Sequence, residues 1–188
     1  MKTKSLITNK KGRSRIGLTI WFTGLSASGK TTLALSLQSA LLDAGISSVL
    51  LDADEIRKSI NSDLGFSISD REENNRRAAE IAKVINSSGV VAIGSFITPT
   101  EKIRERIKTI IGVERFIMVY LDTPLEVCEK RDPKNLYRKA RSGSISDFSG
   151  ISSVFEIPKS PDFIVDGQKT VEENTLSLIS GIKGRLIS

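Results

Sequence analysis

The sequence predicts a three-layer α/β/α fold built on a five-stranded parallel sheet. Short runs rich in β-branched and aromatic residues alternate along the chain with longer segments of helical periodicity. Such alternation is typical of βαβ units, whose right-handed crossovers place helices on the faces of a parallel sheet. The length of 188 residues, with 39% hydrophobic and 27% charged residues, suits one globular domain. We expect that domain over residues 17–188, after a basic, flexible tail over residues 1–16.

A glycine-rich motif lies between the first predicted strand, residues 18–23, and the first predicted helix, residues 30–44. Residues 24–31 have the sequence Gly-Leu-Ser-Ala-Ser-Gly-Lys-Thr and fit the pattern G-x-x-x-x-G-K-S/T at every fixed position. In such a P-loop, backbone N–H groups and the helix N-terminus surround the phosphates of ATP or GTP. The lysine reaches the β- and γ-phosphates, and the threonine hydroxyl can bind Mg²⁺. We predict that the nucleotide contacts Gly24, Ser26, Ala27, Ser28, Gly29, Lys30, Thr31 and Thr32.

The remaining elements follow in the order expected of this fold. Gly45 and Gly89 each end a helix, Ser69 or Asp70 can cap the long helix before Gly89, and Pro99 suits a first helical turn. The other predicted strands cover residues 48–52, 90–94, 115–122 and 162–166, and the other predicted helices cover about 55–60, 69–87, 99–111, 124–131 and 170–183. Residues 132–161 show no hydrophobic period, which is typical of a functional lid or a disordered insert.

Composition excludes several classes of protein. The net charge of +6 and the pI of about 9.5 permit an anionic partner, but many of the cations lie in the first fifteen residues. We therefore expect small nucleotide substrates and no specific nucleic acid. No apolar run approaches the ~20 residues that cross a bilayer, and the N-terminus lacks a secretory h-region. We expect a cytoplasmic protein without a membrane anchor.

Two carboxylates follow the second predicted strand, at the edge where ligands of open α/β sheets bind. Because the chain contains no histidine, its general base must be a carboxylate, a lysine or a tyrosine, and its metal site must use oxygen ligands. One of Asp52 and Asp54 can join Thr31 in the shell of Mg²⁺ while the other accepts a proton from an acceptor hydroxyl, and we expect Asp52 to be the metal ligand. A plain helix cap is the alternative role for this pair. With Lys30, the two aspartates are the predicted catalytic residues.

Arginines and loop aromatics supply candidates for binding a second nucleotide. Arg57 and Arg71 carry forked guanidinium groups suited to anions, although surface ion pairs are their commoner role. Phe66 and Phe148 lie in loop sequence and can either stack on a base or belong to the core. The predicted lid is rich in cations that can close over polyphosphate, unless they form only a solvated surface: Arg131, Lys134, Arg138, Lys139 and Arg141.

Several sequence blocks together resemble the adenylylsulfate kinase (APS kinase) family. These enzymes use MgATP to phosphorylate the ribose 3′-hydroxyl of adenosine 5′-phosphosulfate (APS), giving 3′-phosphoadenosine 5′-phosphosulfate in sulfate assimilation. The resemblance runs from about residue 17 to 166. Beside the P-loop it rests on Leu-Asp-Ala-Asp-Glu-Ile-Arg at 51–57, Asn-Ser-Asp-Leu-Gly-Phe-Ser at 61–67, Ser-Phe-Ile-Thr-Pro at 95–99, Leu-Tyr-Arg-Lys-Ala-Arg at 136–141 and Phe-Ser-Gly-Ile at 148–151.

The resemblance implies roles for particular residues. Asp54 would be the general base or part of the metal shell, and Arg131 would pack near the ATP base. Phe66 and Phe148 would hold the adenine of APS between them, and Ile97 would line that pocket. The acceptor nucleotide would also contact Arg57, Arg71, Asn74 and Lys139. We further expect a homodimer.

The chain departs from the family pattern mainly around the acceptor. Ala53 replaces a usual glycine, Lys58-Ser59 replaces His-Gly, Ser146-Asp147 replaces a Lys-Gly pair of the lid, and Thr100-Glu101 replaces Tyr-Arg. The alternative prediction is therefore a related P-loop kinase with a changed acceptor, such as cytidine diphosphoramidate kinase in capsular polysaccharide modification. A third interpretation, from another class, is a non-catalytic nucleotide-sensing or nucleic-acid-binding module that uses the basic tail.

Overall fold

Five parallel strands form one sheet at the centre of the computed structural model, which describes residues 17–186. The strands are β1 (Thr19–Thr23), β2 (Ser48–Asp52), β3 (Val91–Ser95), β4 (Phe116–Asp122) and β5 (Phe163–Asp166). Their order in the sheet is β2-β3-β1-β4-β5, and every neighbouring pair is parallel. The predicted sheet is confirmed, whereas the predicted tail over residues 1–16 lies outside the described residues.

Helices follow the strands in the predicted alternation. They are α1 (Lys30–Asp43), α2 (Ala53–Arg57), α3 (Ile68–Ser87), α4 (Glu101–Ile111), α5 (Leu125–Arg131), α6 (Leu136–Arg141) and α7 (Val171–Leu186). In the part of the chain that the structure describes, no helix combines the length and apolar character needed to cross a membrane.

Three predictions about helices were wrong in detail. The predicted helix over 55–60 begins earlier, at Ala53, because the Asp52 carboxylate caps it by accepting a hydrogen bond from Asp54 N at 2.9 Å. It also ends earlier, at Arg57. Pro99 does not lie in the first turn of α4, since Thr100 is the N-cap. The stretch over 132–161 is not wholly irregular, because it contains the short helix α6. Only two residues of α6 are buried, which is too few to show a helical period in the sequence.

Two apolar clusters cover the faces of the sheet and complete the three layers. On one face, α1 and α7 bury leucines and isoleucines such as Leu37 and Ile182 against Ile20 of β1. On the other face, α3 contributes a row of small residues that includes Ala78 and Ala82, and α4 contributes isoleucines. The helical periodicity of the sequence therefore corresponds to real core contacts on both sides.

The second cluster is built around a buried indole in the central strand. Trp21 stacks on Phe96 with ring centroids 4.6 Å apart, and its Nε1 donates to Thr98 Oγ1 at 2.8 Å. The neighbouring strand meets the indole at Gly94, where an added Cβ would lie 2.6 Å from the ring. The indole thus fills the space above Gly94 and fixes the segment that leaves β3.

Replacing Gly94 with alanine should lower the free energy of unfolding by about 1–3 kcal/mol, because the new methyl group overlaps the Trp21 ring. The shift in the midpoint of chemical denaturation, at an unchanged slope, measures this effect. Gly184→Ala is the matched control, because its Cβ meets no heavy atom within 4 Å outside its own helix. That variant should be neutral or stabilised by up to about 1 kcal/mol. Equal midpoints for both variants would contradict the packing.

Candidate active site

Polar side chains meet where β1, β2 and β3 end. Because these strands are parallel, their carboxyl ends share one edge of the sheet. Thr31 Oγ1, in the first turn of α1, donates to Asp52 Oδ2 at 2.8 Å and lies 3.1 Å from Ser95 Oγ. The structure therefore brings together the two residues predicted for the metal shell and adds Ser95, which the sequence analysis did not identify.

The P-loop has the backbone conformation of an anion-binding turn. Gly24, Ala27 and Gly29 have positive φ angles of 152°, 57° and 105°. At Gly24 a side chain is also excluded by space, since a Cβ would lie 2.9 Å from Leu121 O. Gly29 caps α1 without a side-chain hydrogen bond, so the first N–H groups of that helix are available to a phosphate.

Lys30 is buried beneath the P-loop. Its Nζ donates to Gly24 O at 3.0 Å, to Leu25 O at 2.5 Å and to Ser28 Oγ at 3.4 Å. Burial lowers the pKa of this lysine to about 8, against the opposing influence of nearby acidic groups that include Asp54. Because its hydrogen-bond partners are neutral oxygens, an added phosphate would favour the charged form.

The residues that could hold Mg²⁺ are few. No group of three or more His, Cys, Asp or Glu residues within 17–186 could hold a metal ion by itself. Thr31 and Asp52 can supply one or two oxygen ligands, and Mg²⁺ normally takes its remaining ligands from nucleotide phosphates and water. The oxygen donors present therefore fit a magnesium–nucleotide complex rather than a site made by protein alone.

Asp54 lies one residue beyond the cap of α2 and contacts the predicted lid. Its Oδ2 pairs with Lys134 Nζ, from the connection between α5 and α6. Both side chains are more than half exposed, at 58% and 59%. The predicted base and a predicted lid cation are thus direct neighbours, and the carboxylate can exchange its partner without first being uncovered.

Arg131 connects the P-loop to the segment after β5. Its guanidinium donates to Ser28 O at 3.3 Å and to Gly167 O at 2.7 Å. Thr123 Oγ1 also donates to Ser28 O, at 3.0 Å, and a Cβ on Gly167 would overlap that hydroxyl. Sequence analysis identified Arg131 but missed Thr123 and Gly167, because their contacts join segments that are far apart in the chain.

Two arginines contact the exposed ring of Phe66. The guanidinium carbons of Arg57 and Arg71 lie 4.7 Å and 5.6 Å from the ring centroid. Arg71 donates to Phe66 O at 3.0 Å and to Asp147 O at 2.9 Å. Desolvation, followed by the charge of Arg57, lowers the pKa of Arg71 to about 10. Among the described residues both guanidinium groups donate to backbone carbonyl oxygens rather than to a carboxylate, so both charges remain suited to an anionic ligand.

Phe148 lies in a small core formed largely by residues of the predicted lid. It is 5% exposed and meets Tyr137 edge-on, with ring centroids 4.9 Å apart. Tyr137 is on α6, and its hydroxyl donates to Ser26 O of the P-loop at 2.9 Å. Of the two alternatives for Phe148, this packing favours the core. Arg71 joins the two aromatic segments, because it donates both to Phe66 O and to Asp147 O, the residue before Phe148.

Ile97 is positioned through its backbone. Thr23 Oγ1 donates to Ile97 O at 2.6 Å, and the next residue, Thr98, donates from its hydroxyl to Asn75 Oδ1 at 2.9 Å. Below this turn the fully buried Arg104 donates to Thr98 O at 3.1 Å. Sequence analysis missed Arg104, because a cation in an amphipathic helix is expected at the surface.

The last two predicted acceptor residues differ in their surroundings. Asn74 is buried on α3, one turn after Arg71, where it accepts a hydrogen bond from Asn61 Nδ2 at 2.9 Å. Lys139 is exposed on α6. Asn74 therefore lies one turn from Arg71 on α3, whereas the structure gives no contact that brings Lys139 to Arg57 or Arg71.

This sheet order, P-loop and basic lid define a P-loop kinase that resembles nucleoside-monophosphate kinases. The family model for adenylylsulphate kinase matches residues 16–166, so the chain belongs to the adenylylsulfate kinase family. An adenylyl-sulfate kinase of Enterobacter sp. is 48% identical over 82% of this chain and 77% of its own, and one of Yersinia pestis is 46% identical over 91% and 80%. The APS kinase CysC of Mycobacterium tuberculosis, solved in complex with AMPPNP and APS, superposes with a TM-score of 0.86 at 39% identity over 91% of this chain and 99% of that one.

ATP binding should weaken as the pH rises through about 8. In the free protein burial lowers the pKa of Lys30 to about 8, and a bound triphosphate raises it. Binding must therefore take up a proton above that pH, and the Kd for ATP should increase by up to about tenfold per pH unit there. Calorimetry in buffers of different ionisation enthalpy measures both effects. Lys30→Arg keeps its charge and should lose the pH dependence, while a Kd that stays constant up to about pH 9.5 in the wild type would contradict the assignment.

Proposed function

We propose that this chain transfers the γ-phosphoryl group of ATP, with Mg²⁺, to the ribose 3′-hydroxyl of adenosine 5′-phosphosulfate. The observation that carries the proposal is the pair of arginines, Arg57 and Arg71, that flank the exposed ring of Phe66 beside a complete P-loop. An aromatic face suits a base, and two guanidinium groups suit a nucleotide with two anionic groups. Membership of the adenylylsulfate kinase family supports APS as that nucleotide.

The donor is bound by backbone groups and one buried charge. The P-loop N–H groups and the N-terminus of α1 hold the phosphates, and Lys30 neutralises charge on the β- and γ-phosphates. Thr31 and Asp52 would hold Mg²⁺, which supplies further charge neutralisation when bound. Arg131 holds the P-loop by donating to Ser28 O, and in this proposal it borders the ATP base.

The acceptor is bound by residues of α2, of α3 and of the loop between these helices. Arg57, Arg71 and Asn74 hold the phosphosulfate group, and Phe66 stacks on the adenine. Phe148 is buried against Tyr137, so in this proposal it borders the adenine pocket as part of the packed core and does not offer an exposed ring face. Two further residues belong to the acceptor site in this proposal: Ile97 and Lys139.

The reaction needs a group that removes the proton from the 3′-hydroxyl. As the bond from O3′ to the γ-phosphorus forms and the bond to the β-phosphate oxygen breaks, the hydroxyl proton passes to the Asp54 carboxylate and ADP leaves. Asp54 is more than half exposed and pairs with Lys134. An incoming hydroxyl can therefore reach the carboxylate without displacing any buried group.

The other two interpretations are not favoured. A cytidine base would also fit against Phe66, but the relatives reported above are adenylyl-sulfate kinases. A non-catalytic module would have no use for a P-loop lysine, a metal-binding aspartate and an adjacent exposed carboxylate in one site. The domain boundary near residue 17, a cytoplasmic location and a homodimer remain predictions from the sequence.

The activity is tested by offering APS and cytidine diphosphoramidate separately to the purified chain with MgATP and following ADP release. We expect turnover with micromolar APS and little with the cytidine compound. Lys30→Ala should remove most of the transfer in the same assay, which excludes a contaminating kinase. Turnover of the cytidine compound without turnover of APS would overturn the proposal.

Asp54→Asn should lower kcat by about 10²–10⁴-fold with a small change in KM, because the amide cannot accept the proton. Steady-state kinetics with APS measure this effect. Glu55→Gln is the matched control, since Glu55 is the adjacent exposed acid and, among residues 17–186, its side chain forms an ion pair only with Lys58, just after α2. It should keep kcat within about twofold. A similar kcat for both variants would remove Asp54 from the role of base.

A further inference from the structure

A buried pair of asparagines joins the loop between α2 and α3 to the acceptor side of α3. Asn61 is 0% exposed and Asn74 is 2% exposed. Asn61 Nδ2 donates to Asn74 Oδ1 at 2.9 Å. Nothing in the reaction described above uses Asn61, although a fully buried amide costs free energy unless its hydrogen bonds serve the structure or the site.

The orientation of the Asn61 amide is set by Arg77. Arg77 Nη1 donates to Asn61 Oδ1 at 3.4 Å, and the guanidinium is itself held by Asp63 at 2.7 and 2.8 Å and by Glu73 at 2.9 Å. A guanidinium only donates hydrogen bonds, so the amide oxygen of Asn61 must face it. The amide nitrogen of Asn61 then faces Asn74.

The same reasoning fixes the next amide. Because Asn61 donates, Asn74 must accept through its oxygen, and its own NH₂ group is left for another partner. Within residues 17–186 no group accepts a hydrogen bond from Asn74 Nδ2. Arg71, one turn earlier on α3, is the neighbouring donor, so the two side chains present donors and no acceptor to a ligand.

We propose that Asn61 is a positioning residue for the acceptor nucleotide. Together with Arg77 it holds Asn74 with its amide nitrogen directed at the phosphosulfate group, and it prevents the opposite orientation, which would place an oxygen against an anion. This inference rests on the proposed function, in which Asn74 contacts APS. It extends that function by naming the hydrogen-bond chain that makes the site selective for an anion.

Asn61→Asp tests the chain with almost no change of shape. The carboxylate can accept from Arg77 but cannot donate to Asn74, so Asn74 must turn its nitrogen inward and its oxygen toward the acceptor. We expect the KM for APS to rise by at least about tenfold, with kcat and the KM for ATP within about twofold of wild type. Asn86→Asp, at the far end of α3 beside Thr19, is the matched control and should leave the KM for APS unchanged.

An added negative charge could raise this KM by itself, so the variant is also made in an Asn74→Ala background. If Asn61 acts through Asn74, Asn61→Asp has no further effect on the KM for APS once Asn74 is removed. An equal rise in both backgrounds would mean simple repulsion and would overturn the proposal. An unchanged KM in a folded Asn61→Asp protein would overturn it as well.

Arg77→Gln provides a second test if Asn61→Asp fails to fold, because Arg77 is partly exposed and its replacement disturbs packing less. Its amide can present either group to Asn61, so the KM for APS should rise several-fold in the wild-type background and not in the Asn74→Ala background. Equal behaviour in both backgrounds would refute the role of Asn61. Wild-type protein without APS turnover would refute the proposed function instead, so the two failures are distinguishable.

Discussion

The parallel sheet imposes the constraint on which the rest of the structure depends. All of its strands run in one direction, so the chain must leave β1, β2 and β3 at the same edge, and their polar ends must meet there. Thr31, Asp52 and Ser95 are close only for this reason, although up to 64 positions separate them in the chain. The site therefore depends on the common direction of the strands, because the P-loop motif alone would not bring Asp52 and Ser95 to Thr31.

Buried cations give this edge its preference for anions. Lys30 and Arg71 are both removed from water, and desolvation lowers the pKa of each. Their charges are stabilised mainly by backbone carbonyl oxygens, so an anionic ligand improves their surroundings. Arg104, which is buried as deeply, uses its donors on the segments around Thr98 and Glu156 and serves the scaffold instead.

The predicted lid contacts the P-loop, Asp54 and Arg71. The hydroxyl of Tyr137 on α6 bonds to the P-loop, Lys134 pairs with Asp54, and Arg71 bonds to the backbone beside Phe148. Each contact crosses from the lid to a different part of the site. The burial of Phe148 beside Tyr137 joins two of these contact regions in one small core.

The sequence by itself determined the sheet and the P-loop, because these depend on local patterns of hydrophobic period and glycine spacing. It could not determine contacts between distant segments. The role of Phe148 in the core, the pairing of Lys134 with Asp54, the helix α6 and the buried Arg104 each depend on which segments pack together. The orientation of the Asn74 amide is the clearest case, since it follows from Asn61 and Arg77 through hydrogen bonds that only the tertiary structure brings within reach.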